Sequence, residues 1–135
     1  MSGTLQMVYV EDDALSREVM EVLMRTHFPE VALKILADSS DFMNDVEALP
    51  EMPEMFLLDI HVVPLDGFAM LRLLRDDIRY ERAKVLAVTA SVMNQEVVQL
   101  RSAGFNGAIA KPLDFDEFAR LIGGALNGKE VWYVT

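Results

Sequence analysis

The sequence contains no cysteine, only two histidines and few basic residues. Without cysteine, the chain cannot form disulfides, thiolate zinc sites or iron–sulfur clusters, and it has no thiol nucleophile. The two histidines, His27 and His61, are too few for a three-histidine metal site. Lysine and arginine number 12 against 22 acidic residues, a formal net charge of -10. This acidic balance argues against direct binding to nucleic acid or to an anionic membrane surface.

Long apolar runs and a secretory leader are also missing. No apolar run approaches the ~20 residues of a membrane-spanning helix, and the first residues lack the basic and apolar regions of a signal peptide. We therefore expect a soluble, cytoplasmic protein. The 135 residues, 52% of them hydrophobic, suit one domain with its own core. We predict that this domain spans residues 1–126 and that residues 127–135 form an apolar C-terminal extension.

Two kinds of apolar pattern alternate along the chain. Short continuous apolar runs are typical of strands buried on both faces, and each run is followed by apolar residues at helical spacing. The five predicted strands are residues 5–10, 31–37, 55–58, 83–88 and 107–110. This alternation predicts a doubly wound α/β fold, in which helices cover both faces of a five-stranded parallel sheet.

Local signals place several helix ends. Asp13 is suited to cap the first helix. Gly104 is suited to end the fourth helix, because glycine adopts the left-handed conformation found there. Asp114, followed three residues later by Glu117, forms the pattern of a capping box for the fifth helix.

Polar residues follow four of the predicted strands at the point where each strand ends. They are Glu11, Asp12, Asp13, Asp59, Thr89 and Lys111. In a doubly wound sheet the ligand site lies beyond the carboxyl ends of the strands, so we expect these side chains to converge. A lone acidic residue at a strand end is usually structural, because aspartate favours turns and caps. Chance is a much weaker explanation for acidic, hydroxyl and lysine side chains that together follow four separate strands.

The chemistry of this set is specific. Crowded carboxylates repel one another, and a cation makes their ionised forms tolerable. All-oxygen ligands suit a hard divalent ion, Mg²⁺ or Mn²⁺. A lysine and a hydroxyl at the same edge can hold phosphoryl oxygens, and a carboxylate can act as a nucleophile that carries a phosphoryl group.

Over residues 5–126, the sequence resembles the receiver domain of bacterial two-component response regulators, including chemotaxis regulators. The matching motifs are Val10-Glu11-Asp12-Asp13 with Arg17, Leu57-Leu58-Asp59-Ile60 leading to Asp66-Gly67, Val88-Thr89-Ala90, and Ala110-Lys111-Pro112. The resemblance implies the flavodoxin-like strand order 2-1-3-4-5 and five helices on both faces of the sheet. The resemblance also implies that residues 1–126 form a stand-alone receiver domain.

The resemblance also implies roles for the acidic residues. Asp59 matches the aspartate that becomes phosphorylated. Glu11 and Asp12 match the acidic pair that binds Mg²⁺ together with Asp59. His61 matches the position whose backbone carbonyl is a further metal ligand.

The remaining matches concern the response to phosphorylation. Thr89 matches the switch hydroxyl that moves to the phosphoryl group, and Lys111 matches the cation that pairs with the acceptor and its phosphoryl group. The peptide bond between Lys111 and Pro112 is typically cis in the family. Ala108 stands where the family often has an aromatic switch residue, so we expect the signal to travel through the loop after the fourth strand instead.

The implied function is phosphorelay signal transduction. A sensor histidine kinase or a histidine phosphotransfer protein would phosphorylate Asp59, and the changed conformation would control an unknown downstream protein. The resemblance implies no direct contact with nucleic acid or membrane, and it allows a homodimer. The chain would be a phosphoprotein with slow self-dephosphorylation rather than an enzyme.

Two alternative functions stay open. One is a receiver-like interaction module that is never phosphorylated. The other is an Mg²⁺-dependent phosphatase with an aspartate nucleophile, although His61 stands where such enzymes usually carry a second aspartate. The apolar tail Val131-Trp132-Tyr133-Val134 also has two interpretations. It folds back on its own domain, or it contacts a partner or a second copy.

Overall fold

Strands and helices alternate along the part of the chain that the computed structural model describes, residues 5–90 and 93–133. The strands are β1 (Gln6–Val10), β2 (Ala32–Leu36), β3 (Met55–Asp59), β4 (Lys84–Thr89), β5 (Gly107–Ala110) and β6 (Val131–Tyr133). The helices are α1 (Ala14–His27), α2 (Phe42–Glu47), α3 (Gly67–Arg75), α4 (Asn94–Ala103) and α5 (Phe115–Leu126). No helix within these residues is long and apolar enough to cross a membrane.

All six strands belong to one parallel sheet, in the order β2-β1-β3-β4-β5-β6. The predicted doubly wound fold and the order of the first five strands are confirmed. The number of strands differs, because the sequence predicts five and the structure has six. The additional strand comes from the apolar tail.

Each face of the sheet buries its own apolar core. On one face α2, α3 and α4 contribute Phe42, Leu71 and Leu100. On the other face α1 and α5 contribute Met20 and Ile122. Because the strands are covered on both sides, their side chains are almost all apolar, and this explains the continuous apolar runs in the sequence.

The predicted caps are present at the helix ends. The side chain of Asp13 accepts a hydrogen bond from the Ser16 N–H at 2.8 Å. Gly104 ends α4 with a φ of 108°, in the left-handed region. Asp114 accepts hydrogen bonds from two N–H groups in the first turn of α5, but the Glu117 side chain binds Arg120 Nε at 2.6 Å.

The tail folds back on its own domain through Val131–Tyr133. β6 pairs with β5, and Val131 is buried in the core shared with α5. Trp132 lies opposite Ala108 in the register and packs against the core on the α4 side. The intramolecular interpretation of the tail is therefore confirmed for these residues, whereas Val134 lies outside the described residues.

A glycine permits the close approach of β6 to β5. A Cβ atom added to Gly107 would overlap the carbonyl oxygen of Val131 and lie 2.8 Å from Cδ2 of Leu86. Neither atom can move freely, because one belongs to the strand backbone and the other to the packed core. A side chain at this position would therefore force β6 away from the sheet.

We expect Gly107→Ala to lower the free energy of unfolding by about 2 kcal/mol, because inserted atoms in a packed site cost roughly 1–3 kcal/mol. Gly123→Ala is the matched control. Its Cβ would meet Phe28 only at 3.8 Å, an ordinary contact. Removing a glycine from the interior of α5 should raise stability by about 0.5–1 kcal/mol. Urea titrations of both variants measure the effect, and wild-type stability in Gly107→Ala would contradict the close packing.

A half-buried arginine ties α3 to the loop before β4 and to the loop between α4 and β5. Arg75 donates to the Ala83 carbonyl at 2.9 Å, to Oδ1 of Asn106 at 2.8 Å and to the Gly104 carbonyl at 3.3 Å. Asn106 Oδ1 also accepts from the Val85 N–H at 2.8 Å. Burial lowers the pKa of Arg75. This side chain thus fixes the loop before β4 and the loop after α4.

Candidate functional site

The strand-end residues predicted from the sequence meet at one edge of the sheet. β1, β3, β4 and β5 are consecutive neighbours, so their carboxyl ends lie side by side. Glu11 follows β1, Asp59 ends β3, Thr89 ends β4 and Lys111 follows β5. The parallel topology therefore brings together residues that are far apart in the sequence.

Three carboxylates form a cluster at this edge. One carboxylate oxygen from each of Glu11, Asp12 and Asp59 lies within 4.8 Å of the other two. Glu11 is 0% exposed and Asp59 is 3% exposed, whereas Asp12 faces solvent. The cluster offers only oxygen donors, and a divalent cation can reach it from the Asp12 side. This donor set fits a hard ion such as Mg²⁺.

Lys111 bridges the two buried carboxylates. Its Nζ lies 2.9 Å from Oε1 of Glu11 and 3.0 Å from Oδ2 of Asp59. Contact with these two carboxylates outweighs burial and raises the pKa of Lys111 above its usual value. The lysine is therefore a fixed positive charge beside Asp59.

The carboxylate of Glu11 is held by two further donors. The Tyr9 hydroxyl donates to Oε1 at 2.9 Å, and the Asp13 N–H donates to Oε2 at 3.2 Å. Arg17 donates to the Glu11 carbonyl at 3.0 Å. Burial, together with the adjacent Asp59, raises the pKa of Glu11. Burial and the nearby Glu11 also raise the pKa of Tyr9, so its hydroxyl keeps its proton and serves as a donor.

The pKa of Asp59 is shifted in the opposite direction to that of Glu11. Burial alone would raise the pKa of Asp59, but its contact with Glu11 and the hydrogen bonds from the His61 N–H and Lys111 hold that pKa below its usual value. The His61 N–H donates to Oδ1 at 2.8 Å. Asp59 is therefore ionised at neutral pH, as a nucleophilic carboxylate must be.

His61 contributes to the site through its backbone. His61 is exposed, and its imidazole does not belong to the cluster of possible metal ligands that Glu11, Asp12 and Asp59 form. The observed contact is the N–H bond to Asp59, which the sequence does not predict. The predicted role of the His61 carbonyl as a metal ligand stays a prediction.

The two predicted switch residues have different surroundings. Thr89 is buried at the end of β4 and lines a cleft of about 150 Å³ together with Phe68 and Leu100. Ala108 is fully buried in the middle of β5. Since its side chain is a single methyl group, Ala108 has no rotamers to exchange. Of the two positions, only Thr89 carries a group that can move toward Asp59.

The loop after β3 is held by a buried serine. Ser39 Oγ accepts from the Leu65 N–H at 2.7 Å and donates to the Leu65 carbonyl at 2.6 Å. The loop contains the cis peptide bond Val63-Pro64, and the bond between Lys111 and Pro112 is also cis. The second of these is the isomer that the family resemblance implies.

Residues 7–122 match the sequence profile of the response regulator receiver domain. The chain belongs to this family. The predicted family membership is therefore confirmed, and the acidic edge described above is the carboxyl edge of a receiver domain.

Curated relatives of this receiver domain include two bacterial response regulators. The response regulator Rre1 of Synechocystis is 25% identical over 131 residues, which cover 90% of this chain and 52% of Rre1. The chain thus spans about half the length of Rre1. The polar-differentiation response regulator DivK of Brucella anthropi is 30% identical over 83 residues, which cover 58% of this chain and 68% of DivK.

Solved structures show the same receiver fold. The receiver domain of the sensor histidine kinase PA1611 from Pseudomonas aeruginosa superimposes with a TM-score of 0.78 and 22% identity. The superposition covers 93% of this chain and 100% of that domain, whose structure holds a magnesium ion in its active-site cleft. At this identity the likeness establishes the fold alone.

Besides the His61 N–H bond, two contacts at the acidic edge are missing from the sequence-based prediction. Tyr9 belongs to the apolar run of β1, and a single tyrosine in such a run is usually a core residue. Its position two residues before Glu11 places both side chains on the same face of the strand, and this period of two is the available signal. The Asp13 N–H contact depends on the turn into α1 and has no signature in the sequence.

Proposed function

We propose that this receiver domain is a phosphoaspartate switch. Asp59 accepts a phosphoryl group from the phosphohistidine of a sensor histidine kinase or a histidine phosphotransfer protein. The phosphorylated form changes conformation and controls a downstream protein. The chain serves as substrate and slow self-hydrolase in this reaction, not as a turnover enzyme.

The observation that carries this proposal is the pairing of Asp59 with Lys111. The ionised, buried carboxylate of Asp59 lies 3.0 Å from the ammonium group of Lys111. Before transfer, the lysine holds the carboxylate in place. After transfer, the same ammonium group can bind the oxygens of the phosphoryl group, because phosphate is a strong acceptor of charge-assisted hydrogen bonds.

In the transfer step, the phosphoryl group moves from the imidazole of the donor to the carboxylate of Asp59. A carboxylate oxygen of Asp59 attacks the phosphorus atom, so an O–P bond forms while the P–N bond to the donor imidazole breaks. The imidazole nitrogen keeps the electron pair of that bond. The product on this chain is an acyl phosphate, whose hydrolysis by water returns the free carboxylate and inorganic phosphate.

Glu11, Asp12 and Asp59 are the residues that would hold Mg²⁺ in this reaction. The bound ion would supply positive charge for the phosphoryl oxygens as charge develops on them. Glu11 and Asp12 keep the site negative enough to bind a cation. Lys111 keeps two of the three carboxylates in contact with a positive charge whether or not a metal is present.

Thr89 is the residue that turns phosphorylation into a change of shape. Its hydroxyl group lies at the end of β4, one strand away from Asp59. A phosphoryl group on Asp59 adds acceptor oxygens that draw a hydroxyl donor inward. Because the chain continues from Thr89 toward α4, such a movement displaces the start of that helix.

Incubation with acetyl phosphate and Mg²⁺, followed by intact mass spectrometry, tests the proposal. We expect one phosphoryl adduct on the wild-type chain, none on Asp59→Ala and a wild-type level on Asp41→Ala, which removes an exposed aspartate. No adduct on the wild-type chain would overturn the proposal in favour of a non-phosphorylated interaction module. Repeated turnover of small phosphate esters would instead indicate a phosphatase.

A further inference from the structure

Helix α4 is attached to the domain mainly near its C-terminal end. Leu100 is its only fully buried side chain among the described residues. Glu96, Gln99 and Leu100 line the cleft of about 150 Å³ that also borders Thr89. The space beneath this part of α4 therefore adjoins the residue that responds to phosphorylation.

The C-terminal end of α4 is joined to β6 by three side chains, which we call the latch: Arg101, Glu130 and Trp132. The Arg101 guanidinium stacks on the Trp132 ring, with its carbon 4.4 Å from the ring centroid. Trp132 Nε1 donates to Oε1 of Glu130 at 2.8 Å, and the same oxygen lies 4.0 Å from Arg101. Each side chain of the latch thus contacts the other two.

The Trp132 side chain also contacts the apolar core of the domain. It is opposite Ala108 in the register of β5 and β6, and it packs against the core that Leu100 helps to form. The methyl side chain of Ala108 fills little space in this core and has no alternative rotamers. On this face of the β5–β6 pair, the large side chain therefore comes from Trp132 of the C-terminal strand, and β5 contributes the small Ala108.

We propose that the latch couples the position of α4 to the C-terminal strand, so that phosphorylation of Asp59 releases Trp132 from Arg101. This inference rests on the proposed phosphoaspartate switch. Movement of Thr89 shifts the start of α4, and a rigid helix transmits that shift to Arg101. The stack is weak because the Arg101 side chain is 54% exposed, so a small displacement is enough to break it. The release of Trp132 thus transmits the effect of phosphorylation to the C-terminal strand, which lies at the edge of the sheet.

The sequence provides its own probe, because Trp132 is the only tryptophan. We would record its fluorescence with and without Mg²⁺ and beryllofluoride for the wild type, Arg101→Gln and Arg25→Gln. Arg25 is an exposed arginine of α1 that pairs with Glu21 and lies on the opposite face of the sheet from the latch, so it is the matched control. Intact mass after acetyl phosphate treatment is measured on all three proteins.

We expect the emission of the wild type and of Arg25→Gln to move to longer wavelength on activation. Arg101→Gln should show the shifted emission before activation and little further change, while Asp59 is phosphorylated normally. An adduct on the wild type without any change in emission, or a full change in Arg101→Gln, would overturn the latch and leave the phosphoaspartate switch intact. The absence of an adduct on the wild type would overturn both.

Discussion

Replacing Lys111 by methionine is expected to lower the free energy of unfolding of the metal-free protein by about 2–3 kcal/mol. Removing one member of a buried ion pair costs roughly 3–5 kcal/mol, and the effect here is smaller because the Lys111 side chain keeps 20% of its exposure. Glu11 and Asp59 would face each other without their shared cation. Chemical denaturation in the presence of a chelator measures this loss.

The same substitution should reduce the phosphoryl adduct on Asp59 strongly, because the ammonium group that holds the phosphoryl oxygens is gone. Lys34→Met is the control, since Lys34 is an exposed lysine of β2. Saturating Mg²⁺ should recover part of the lost stability by restoring positive charge between the carboxylates. Wild-type stability and a wild-type adduct in Lys111→Met would contradict the role that we assign to this residue.

Mg²⁺ is expected to stabilise the wild-type protein, and Asp12→Asn should remove most of this effect. A ligand at 100 times its dissociation constant adds roughly 2.7 kcal/mol when it binds only the folded state. Asp12 is the exposed member of the carboxylate cluster. Its loss should raise the Mg²⁺ dissociation constant at least about tenfold, since even outer-sphere partners of a metal contribute roughly 10–100-fold.

Asp13→Asn separates this effect from a general change of charge. Asp13 is the next residue, carries the same charge and caps α1 through its side chain. Asparagine caps helices about as well as aspartate, so the baseline stability should change little. Melting temperatures over a Mg²⁺ titration compare the three proteins. Equal loss of the Mg²⁺ response in both variants would argue against a site built on Asp12.

The sequence was sufficient to predict most of the sheet, because strands buried on both faces leave a strong apolar signal. It was also sufficient for the site, because the residues that converge there each follow a strand. The sixth strand is different. Val131–Tyr133 is only three residues long, so its pattern alone does not separate a strand from a partner contact.

Other features escaped prediction because they depend on tertiary contacts. Arg75 stands among Arg72, Arg79 and Arg82, and such a cluster is usually a solvated face. Only the fold shows that Arg75 reaches the backbone of two loops. Likewise, Gly107 marks the place where two backbones nearly touch, but the sequence does not say which segment approaches.

The sixth strand also decides the direction in which the chain leaves the domain. α5 runs back to the amino edge of the sheet, and β6 returns the chain to the carboxyl edge, where Asp59 and Lys111 lie. A fluorescent protein or affinity tag fused after Thr135 would therefore be tethered on the side that the proposed phosphodonor would approach. A tag fused ahead of β1 joins the sheet at the opposite edge, so capture experiments with kinases call for the N-terminal fusion.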